Sequence, residues 1–332
     1  MFDCVAVVGA TGAVGREFIS LLETRGFKAR AVRLLASRRS AGQRIRLNGD
    51  ELVVEELTAD SFKGVDLAFF SAGGGVSKEF APVAARAGCV VVDNSSAFRM
   101  DPATPLIVPE VNPDDTRQHQ GILANPNCST IIMVVPVWPL HRANPIKRII
   151  ASTYQAASGA GQAVMDELAD QTRDVLAGKP AAPRLLPFQY AFNLFSHNSA
   201  IGENGYNVEE MKMIHETHKM FHDDAIRIAA TCVRVPVMRA HSEALNLEFT
   251  NPITPDEVRA ILADAPGVKV VDQREPQHFP MPIEASGQDD VLVGRIREDL
   301  SGPAGHSITM FIAGDQLRKG AALNGIQIAE LL

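Results

Sequence analysis

Short apolar runs and helical patterns alternate along the first part of the chain, up to Asn127. The chain opens with an apolar run at Val5–Gly9, and helical spacing follows over Val14–Thr24. Four more strands are predicted, with a helix over Ser77–Ala87 before the last of them: Arg30–Ala36, Leu52–Leu57, Val65–Ala72 and Cys89–Asp93. This βαβ alternation predicts an α/β fold with a doubly wound parallel sheet, which binds ligands at the carboxyl ends of its strands.

The pattern changes after Cys128. A long strand is predicted over Ile149–Ala157, a helix follows to about Leu176, and Gly178–Asn207 is an irregular excursion rich in Pro and Asn. Capping boxes at Asn207–Glu210 and Thr254–Glu257 predict the starts of two further helices. The strand candidates here are closely spaced: Ile228–Val235, Ala244–Thr250, Val268–Val271, Val291–Arg297 and Ser307–Ala313. This spacing predicts a second, α+β domain with a mostly antiparallel sheet.

These patterns predict two domains. The first covers residues 1–127 and is completed by the C-terminal segment 314–332, where a helix at about Gln316–Leu331 is expected to pack back on it. The second covers residues 128–313. A chain of 332 residues is long enough for two domains of ordinary size.

Composition and charge exclude several classes of protein. The net charge is −7, and no basic stripe predicts binding to nucleic acid or to a membrane surface. The longest apolar run, Ile131–Leu140, is too short to span a bilayer, and the N-terminus has no pattern of a signal peptide. The four cysteines are dispersed without a CxxC pair, so we expect free thiols and a cytoplasmic location.

A glycine-rich turn follows the first predicted strand. Its spacing, Gly9-Ala10-Thr11-Gly12-Ala13-Val14-Gly15, is GxxGxxG rather than GxGxxG, but it offers the same tight turn and free N–H groups at a helix N-terminus. This context predicts a Rossmann-type dinucleotide site, with an ordinary βα turn as the alternative. The second strand ends in Ser37-Arg38-Arg39-Ser40, without the carboxylate of an NAD site. Because arginine binds phosphate well, we predict NADP over NAD; the alternative is a solvated basic loop.

Cys128 is the best candidate for a nucleophile. It precedes an apolar helix predicted to begin near Ser129, and the positive end of a helix dipole favours a thiolate. The other cysteines, Cys4, Cys89 and Cys232, lie in apolar strand segments, where an inert buried thiol is expected. His241 is the best candidate for the partner base, with Arg234 seven positions before it on the same segment.

No metal site is predicted. His215, His218 and His222 have helical spacing near two aspartates, but His215-Glu216-Thr217-His218 is one residue short of an HExxH motif. We therefore expect these histidines to share a polar, solvent-facing side of a helix.

Several motifs in a fixed order carry a family resemblance. They are Gly9–Gly15, Ser95–Arg99, Asn125–Thr130, Gln155 before Ser158–Gly161, Glu209 with Lys212, and Arg234 with His241. In this combination the chain resembles the aspartate-β-semialdehyde dehydrogenase family over nearly its whole length. The resemblance implies NADPH-dependent reductive dephosphorylation of L-4-aspartyl phosphate to L-aspartate 4-semialdehyde, a step of lysine, threonine and methionine synthesis. It also implies a homodimer or homotetramer, a dinucleotide-binding first domain, and a catalytic and dimerisation second domain.

The resemblance also implies roles for individual residues. Cys128 is the nucleophile, His241 the general acid/base, and Gln155 orients the acyl-enzyme. Arg234 binds the substrate carboxylate, Glu209 faces the amino group, and Arg99 and Lys212 hold phosphate. Ser158, Gly159 and Gln316 approach the cofactor, in addition to the residues of the glycine-rich turn and the Ser37–Ser40 segment.

Two other functions remain open from the sequence. A sister enzyme, N-acetyl-γ-glutamyl-phosphate reductase, runs the same chemistry on an acylated substrate, but a free amino group suits a carboxylate such as Glu209 better than an acetylated amine does. A non-catalytic paralogue that only binds nucleotide would be expected to lack the nucleophile or the base, and both Cys128 and His241 are present.

Overall fold

The computed structural model describes residues 1–332, and the chain divides into two compact units. The first unit consists of Met1–Asn127 and Ala321–Leu332, and the second of Cys128–Gly320. Each contains one seven-stranded sheet. The residues Gly314–Gly320, which the sequence grouped with the first domain, fall in the second unit. The assignment of a separate role to each domain stays a prediction.

The first unit is built on a mostly parallel sheet with the order β3-β4-β2-β1-β5-β6-β7. Every neighbouring pair is parallel except the β3–β4 hairpin. The strands are β1 (Phe2–Val8), β2 (Ala29–Ala36), β3 (Arg44–Leu47), β4 (Asp50–Glu56), β5 (Leu67–Phe70), β6 (Val90–Asp93) and β7 (Ile122–Ala124). The helices are α1 (Ala13–Thr24), α2 (Gly74–Arg86) and α8 (Leu323–Glu330). This sheet confirms the predicted Rossmann-type fold.

The central strands of this sheet are apolar on both faces. All four residues of β5 are buried, as are Val5–Val8 of β1. Strands covered on both faces read as continuous apolar runs, as expected for a parallel sheet between helical layers. On one face Phe69 stacks on Phe18 of α1, and on the other Phe70 stacks on Phe62.

The second unit is built on a mostly antiparallel sheet with the order β12-β13-β14-β11-β8-β10-β9. Only β8–β10 and β12–β13 are parallel pairs. The strands are β8 (Ile146–Gln155), β9 (Phe195–Ser196), β10 (Arg227–Arg234), β11 (His241–Phe249), β12 (Val268–Val270), β13 (Val291–Glu298) and β14 (Ser307–Gly314). The helices are α3 (Cys128–Ala143), α4 (Gln162–Leu176), α5 (Val208–Phe221), α6 (Pro255–Ala263) and α7 (Pro282–Ala285). The predicted α+β architecture is confirmed, and both predicted capping boxes form.

Four local features differ from the sequence predictions. The β3–β4 hairpin was not predicted, although Asn48 and Gly49 both adopt positive φ, which suits the Asn-Gly turn between paired strands. The C-terminal helix is not continuous from Gln316, because a π-helical turn at Arg318–Ala322 precedes α8. β11 begins at His241, three residues before the strand predicted from Ala244.

The fourth difference concerns the three histidines near the end of α5. His215 is exposed, but His218 is half-buried and its Nε2 donates to the Ile226 carbonyl at 2.7 Å. His222 lies past the helix in a left-handed capping conformation. These side chains therefore do not share one solvent-facing side of the helix. No helix of the protein has the length and apolar composition that crossing a membrane requires.

Candidate active site

The register of the second sheet brings the candidate catalytic side chains to one end of its central strands. Gln155 ends β8 and Arg234 ends β10, and the two are register partners in this parallel pair. β11 runs antiparallel to β8 and begins at His241, so the imidazole lies at the same end. Cys128 is the first residue of α3, one residue before the helix start predicted near Ser129.

Cys128 and His241 are in contact. The Cys128 Sγ lies 3.5 Å from His241 Nε2, and the Ala156 N–H donates to His241 Nδ1 at 2.9 Å. Because Nδ1 accepts this bond, the proton of the neutral ring is assigned to Nε2, facing the sulfur. Burial is the main cause that lowers the pKa of His241 to about 3, and the positive charge of Arg234 acts in the same direction. The pair therefore suits a thiolate that accepts a hydrogen bond from a neutral imidazole.

The His241 ring packs directly against Gly159. A Cβ added to this glycine would lie 2.9 Å from His241 Cε1 and 3.0 Å from Nε2. The absence of a side chain at Gly159 is therefore what allows the imidazole to reach Cys128.

The loop before His241 is held in a strained conformation. Ala240 is buried with a φ of +73°, and its N–H donates to Gln316 Oε1 at 2.9 Å. Gln316 Nε2 also donates to Ser158 Oγ. Asp315, which is fully buried, pairs with Arg239 at 2.7 Å. Ser158 and Gln316 thus contact each other beside this loop, and their predicted approach to the cofactor stays a prediction.

Gln155, Glu209 and Lys212 form one hydrogen-bonded group. Glu209 is buried, and its Oε1 accepts from Gln155 Nε2 at 3.1 Å. Its Oε2 forms an ion pair with Lys212 Nζ at 2.9 Å, one turn along α5. The predicted i,i+3 arrangement therefore exists, with the carboxylate between an amide and an ammonium group.

Arg234 is buried and has one guanidinium nitrogen without a hydrogen-bond partner. Its Nε donates to Asn198 Oδ1 at 3.1 Å and its Nη2 to His197 Nε2 at 3.0 Å. Its Nη1 lies near Gly159 and is shielded from solvent, and no hydrogen-bond acceptor contacts it. A buried, unsatisfied guanidinium N–H is costly, and a carboxylate would satisfy it.

His197 and Asn198 were not among the predicted site residues. Nothing in the sequence around them indicates a role, because their contact with Arg234 depends on the pairing of β9 with β10. Burial lowers the pKa of His197 to about 4, so the ring is neutral at physiological pH.

The other cysteines lie in environments that disfavour a thiolate. Burial raises the pKa of Cys89 to about 12 and raises that of Cys232 further, and burial also raises the pKa of Cys4. None of the three has a histidine contact like that of Cys128.

The first unit contains a cavity beside the glycine-rich turn. Its volume is about 480 Å³. Its lining includes three groups: Gly9, Thr11 and Gly12 of the turn, Ser37, Arg39 and Ser40 after β2, and the apolar side chains Leu57, Val76 and Phe80. Arg38, which the sequence grouped with Arg39, is not part of this lining.

Two glycines of the turn are required by close backbone approaches. Gly9 has a φ of +85°, and a Cβ there would collide with the Ser71 carbonyl. A Cβ on Gly15 would collide with the Gly9 carbonyl. The turn is therefore compact, with Ala13 and Val14 in the first turn of α1, and the residues present fit a dinucleotide phosphate at the helix N-terminus.

Arg99 lies after β6 in the same unit. It is buried, and its Nη2 donates to the Asn94 carbonyl at 3.0 Å. The segment is braced by Ser95, whose Oγ donates to Asp93 Oδ2 at 2.7 Å. The predicted phosphate-binding role of Arg99 stays a prediction.

Two family models match the chain. The NAD binding domain of semialdehyde dehydrogenases matches residues 4–119, and their dimerisation domain matches residues 137–319. An aspartate-semialdehyde dehydrogenase from Synechocystis sp. is 55% identical over 99% of this chain and 96% of its own length. One from Aquifex aeolicus is 50% identical over 99% of this chain and 97% of its own length.

Solved structures show the same similarity. Aspartate semialdehyde dehydrogenase II from Vibrio cholerae, complexed with ASA, has a TM-score of 0.97 and 44% identity, and the alignment covers 100% of this chain and 98% of that one. Aspartate semialdehyde dehydrogenase with NADP from Candida albicans has a TM-score of 0.77 and 25% identity over 100% of this chain and 98% of that one. The chain belongs to the aspartate-semialdehyde dehydrogenase family.

Proposed function

We propose that this protein catalyses the reversible, NADPH-dependent reductive dephosphorylation of L-4-aspartyl phosphate to L-aspartate 4-semialdehyde. The observation that carries the proposal is the contact between Cys128 Sγ and His241 Nε2, at the sheet end where the unpartnered Nη1 of Arg234 also lies. A nucleophile, a donor for the oxyanion and a site for a carboxylate are what this reaction requires.

The chemistry runs through a thioester on Cys128. The thiolate attacks the acyl carbon, a C–S bond forms, and phosphate leaves with the electron pair of the C–O bond. NADPH, when bound, supplies the hydride that reduces the thioester. The resulting thiohemiacetal oxyanion then collapses, the C–S bond breaks, and the aldehyde leaves the regenerated thiolate.

His241 stabilises the oxyanion that forms on the carbon atom attached to sulfur. Because Nε2–H faces Sγ at 3.5 Å, an oxyanion on the neighbouring carbon comes within reach of the same donor. The predicted acid/base role of His241 belongs to the same step, since the oxyanion is the group that exchanges a proton.

Charged groups select the substrate. Arg234 Nη1 binds the α-carboxylate and Glu209 faces the amino group, while Gln155 orients the acyl group. Arg99 and Lys212 hold the phosphate. A buried carboxylate such as Glu209 favours a free ammonium group over an acetylated amine, which supports the aspartyl substrate over the N-acetyl-glutamyl one.

The cofactor is held by the first unit. Gly9, Thr11, Gly12 and Gly15 accommodate the pyrophosphate, and Ser37, Arg39 and Ser40 bind the 2′-phosphate at the end of β2. The cavity beside the glycine-rich turn, with one guanidinium and no carboxylate among its lining residues, supports NADP over NAD. The residues 1–127 and the C-terminal helix then form the dinucleotide-binding domain, and the rest forms the catalytic and dimerisation domain.

The oligomer is a homodimer or homotetramer that forms through the second unit. This unit matches a model described as a dimerisation domain. It also exposes large apolar side chains between residues 176 and 208, namely Leu176, Leu185, Phe188, Phe192, Leu194 and Ile201, which isolated subunits would leave in water. The four cysteines form no disulfide, which agrees with a cytoplasmic location.

An initial-rate assay tests the proposal. The rate of NADPH formation is measured with L-aspartate 4-semialdehyde and NADP⁺, with and without phosphate, beside N-acetyl-glutamate semialdehyde. Phosphate-dependent turnover of the aspartate compound is expected. Turnover of only the acetylated compound would assign the sister reaction, and no turnover of either with NADP still bound would favour a non-catalytic protein.

A further inference from the structure

The segment His197–Ser199 lies beside both charged groups that the proposed function assigns to the amino-acid end of the substrate. It follows β9, which pairs antiparallel with the end of β10, so that Phe195 is opposite Arg234. The His197 N–H extends this pairing by donating to the Cys232 carbonyl at 2.8 Å. The segment is therefore fixed to the strand that ends in Arg234.

Two side chains of this segment hold the Arg234 guanidinium. Asn198 Oδ1 accepts from Nε at 3.1 Å, and His197 Nε2 accepts from Nη2 at 3.0 Å. A planar guanidinium fixed at two nitrogens has its third nitrogen fixed as well. The direction of the free Nη1 is thus set before any carboxylate binds.

The contact with Arg234 defines the state of the His197 ring. Arginine only donates, so His197 Nε2 must accept and the ring proton must be on Nδ1. Nδ1 lies 3.1 Å from Ser199 Oγ, which can accept a hydrogen bond from Nδ1–H. The Ser199 N–H is also 3.3 Å from Nδ1, but a longer contact from a neutral amide does not outweigh the charged donor on the other side of the ring.

The same segment reaches the backbone of Glu209, the residue whose carboxylate is proposed to face the substrate amine. Ser199 Oγ accepts a hydrogen bond from the Glu209 backbone N–H at 3.2 Å. A continuous chain of hydrogen bonds therefore runs from the first turn of α5 through Ser199 and His197 to Arg234. It joins the Arg234 guanidinium to the backbone of Glu209.

We infer that His197 and Asn198 are positioning residues that orient Arg234 for the substrate α-carboxylate and thereby set the affinity for it. The inference rests on the proposed function, because it needs Arg234 to meet that carboxylate. Neither residue takes part in the chemistry at sulfur, so their removal weakens substrate binding rather than the bond-making steps. Without these contacts the Arg234 guanidinium would have to be ordered when the substrate binds, and this cost would lower the affinity for the substrate.

The test compares two variants at one position. His197→Phe keeps a planar ring but removes the acceptor, and His197→Gln keeps an acceptor near the place of Nε2. Both are assayed with the wild type for phosphate-dependent NADPH formation from L-aspartate 4-semialdehyde. For the Phe variant we expect the KM for the semialdehyde to rise about 10- to 100-fold, as loss of a bond to a charged group implies. We expect kcat and the KM values for phosphate and NADP⁺ to change little, and the Gln variant to recover most of the affinity.

The outcomes separate this inference from the proposed function. A wild type without turnover overturns both. An active wild type with an unchanged semialdehyde KM in the Phe variant, or with Phe and Gln variants equally impaired, overturns the inference alone. If the Phe variant does not fold, Asn198→Leu at an exposed position replaces it, with the same expected rise in KM and the same contradicting result.

Discussion

Replacing Gly159 by alanine tests whether the contact between His241 and Cys128 depends on the bare backbone beside the imidazole. The φ of Gly159 is not in the left-handed region, so alanine is compatible with the local backbone. Its Cβ, however, would lie 2.9 Å from His241 Cε1, whereas ordinary contacts begin at 3.4 Å. The ring must therefore move by about 0.5 Å or more from a fully buried position that the Ala156 N–H fixes.

The size of this movement predicts the loss of activity. A misplacement of about 1 Å at a reacting centre costs about 100-fold in rate, so a shift of half that size or more predicts a fall in kcat of about 10- to 100-fold. The assay is the steady-state oxidation of L-aspartate 4-semialdehyde. The rate at which iodoacetamide alkylates Cys128 is measured as well, because it reports the sulfur's surroundings without NADP or substrate.

Gly178→Ala is the matched control. Gly178 has a φ of +74° with nothing within 4 Å of an added Cβ, so alanine there strains the backbone but touches no neighbour. We expect this variant to lose about 1–2 kcal/mol of stability and to keep its kcat. A folded Gly159→Ala protein with a kcat within twofold of the wild type would refute the reasoning, as would equal losses of activity in the two variants.

Three further predictions concern the nucleophile, the cofactor and a buried carboxyl group. Cys128→Ala should abolish turnover while NADPH still binds in a fluorescence titration; substantial residual turnover would exclude the thioester. Arg39→Ala should raise the KM for NADP⁺ about 10- to 100-fold and leave any KM for NAD⁺ nearly unchanged. Arg38→Ala should raise the KM for NADP⁺ much less, because only Arg39 lines the cavity. Equal effects of the two variants on the KM for NADP⁺ would contradict this prediction. Glu243 is fully buried without a hydrogen bond, and burial raises its pKa well above the ordinary value. Above pH about 4.5 the Glu243 carboxyl loses its proton in the unfolded chain but keeps it in the folded protein. The free energy of unfolding of the wild type should therefore fall, relative to that of Glu243→Gln, by about 1.4 kcal/mol per pH unit. The fall should stop where the pH reaches the raised pKa of the folded protein. Urea midpoints at fixed protein concentration measure this, and parallel pH dependences would show that Glu243 is ionised in the folded protein.

Local sequence signals predicted the parts of the fold that depend on neighbouring residues. The capping boxes at Asn207 and Thr254 form because the cap and its partner are three residues apart in any helix that begins there. The start of α3 at Cys128 follows from a polar segment before an apolar run. These signals require no knowledge of distant contacts.

The contacts around Arg234 could not be predicted in this way. His197 and Asn198 lie more than thirty residues before it, in a segment rich in Pro and Asn, and they reach it only because the short strand β9 pairs with the end of β10. The strained Ala240 is similar, since a positive φ in a non-glycine residue depends on the surrounding bonds from Gln316. Residue types indicated which groups do the chemistry, whereas sheet register determines what holds them.

The two histidines beside Arg234 limit what can explain the pH dependence of activity. Burial lowers the pKa of His241 to about 3 and that of His197 to about 4, so both rings are neutral in the free enzyme above pH 5. Protonation of His241 would also put a hydrogen on Nδ1, which then could no longer accept the hydrogen bond from the Ala156 N–H. Protonation of His197 would remove the acceptor for Arg234 Nη2. The charge on these two rings is thus constant through the physiological range. In the profile of kcat/KM, a limb between pH 6 and 8 must therefore come from another group or from the substrate, and its persistence in His197→Gln would agree with this. If that limb moved with His197, the ring would have to titrate in the free enzyme, and the acceptor role derived from its contact with Arg234 would be wrong.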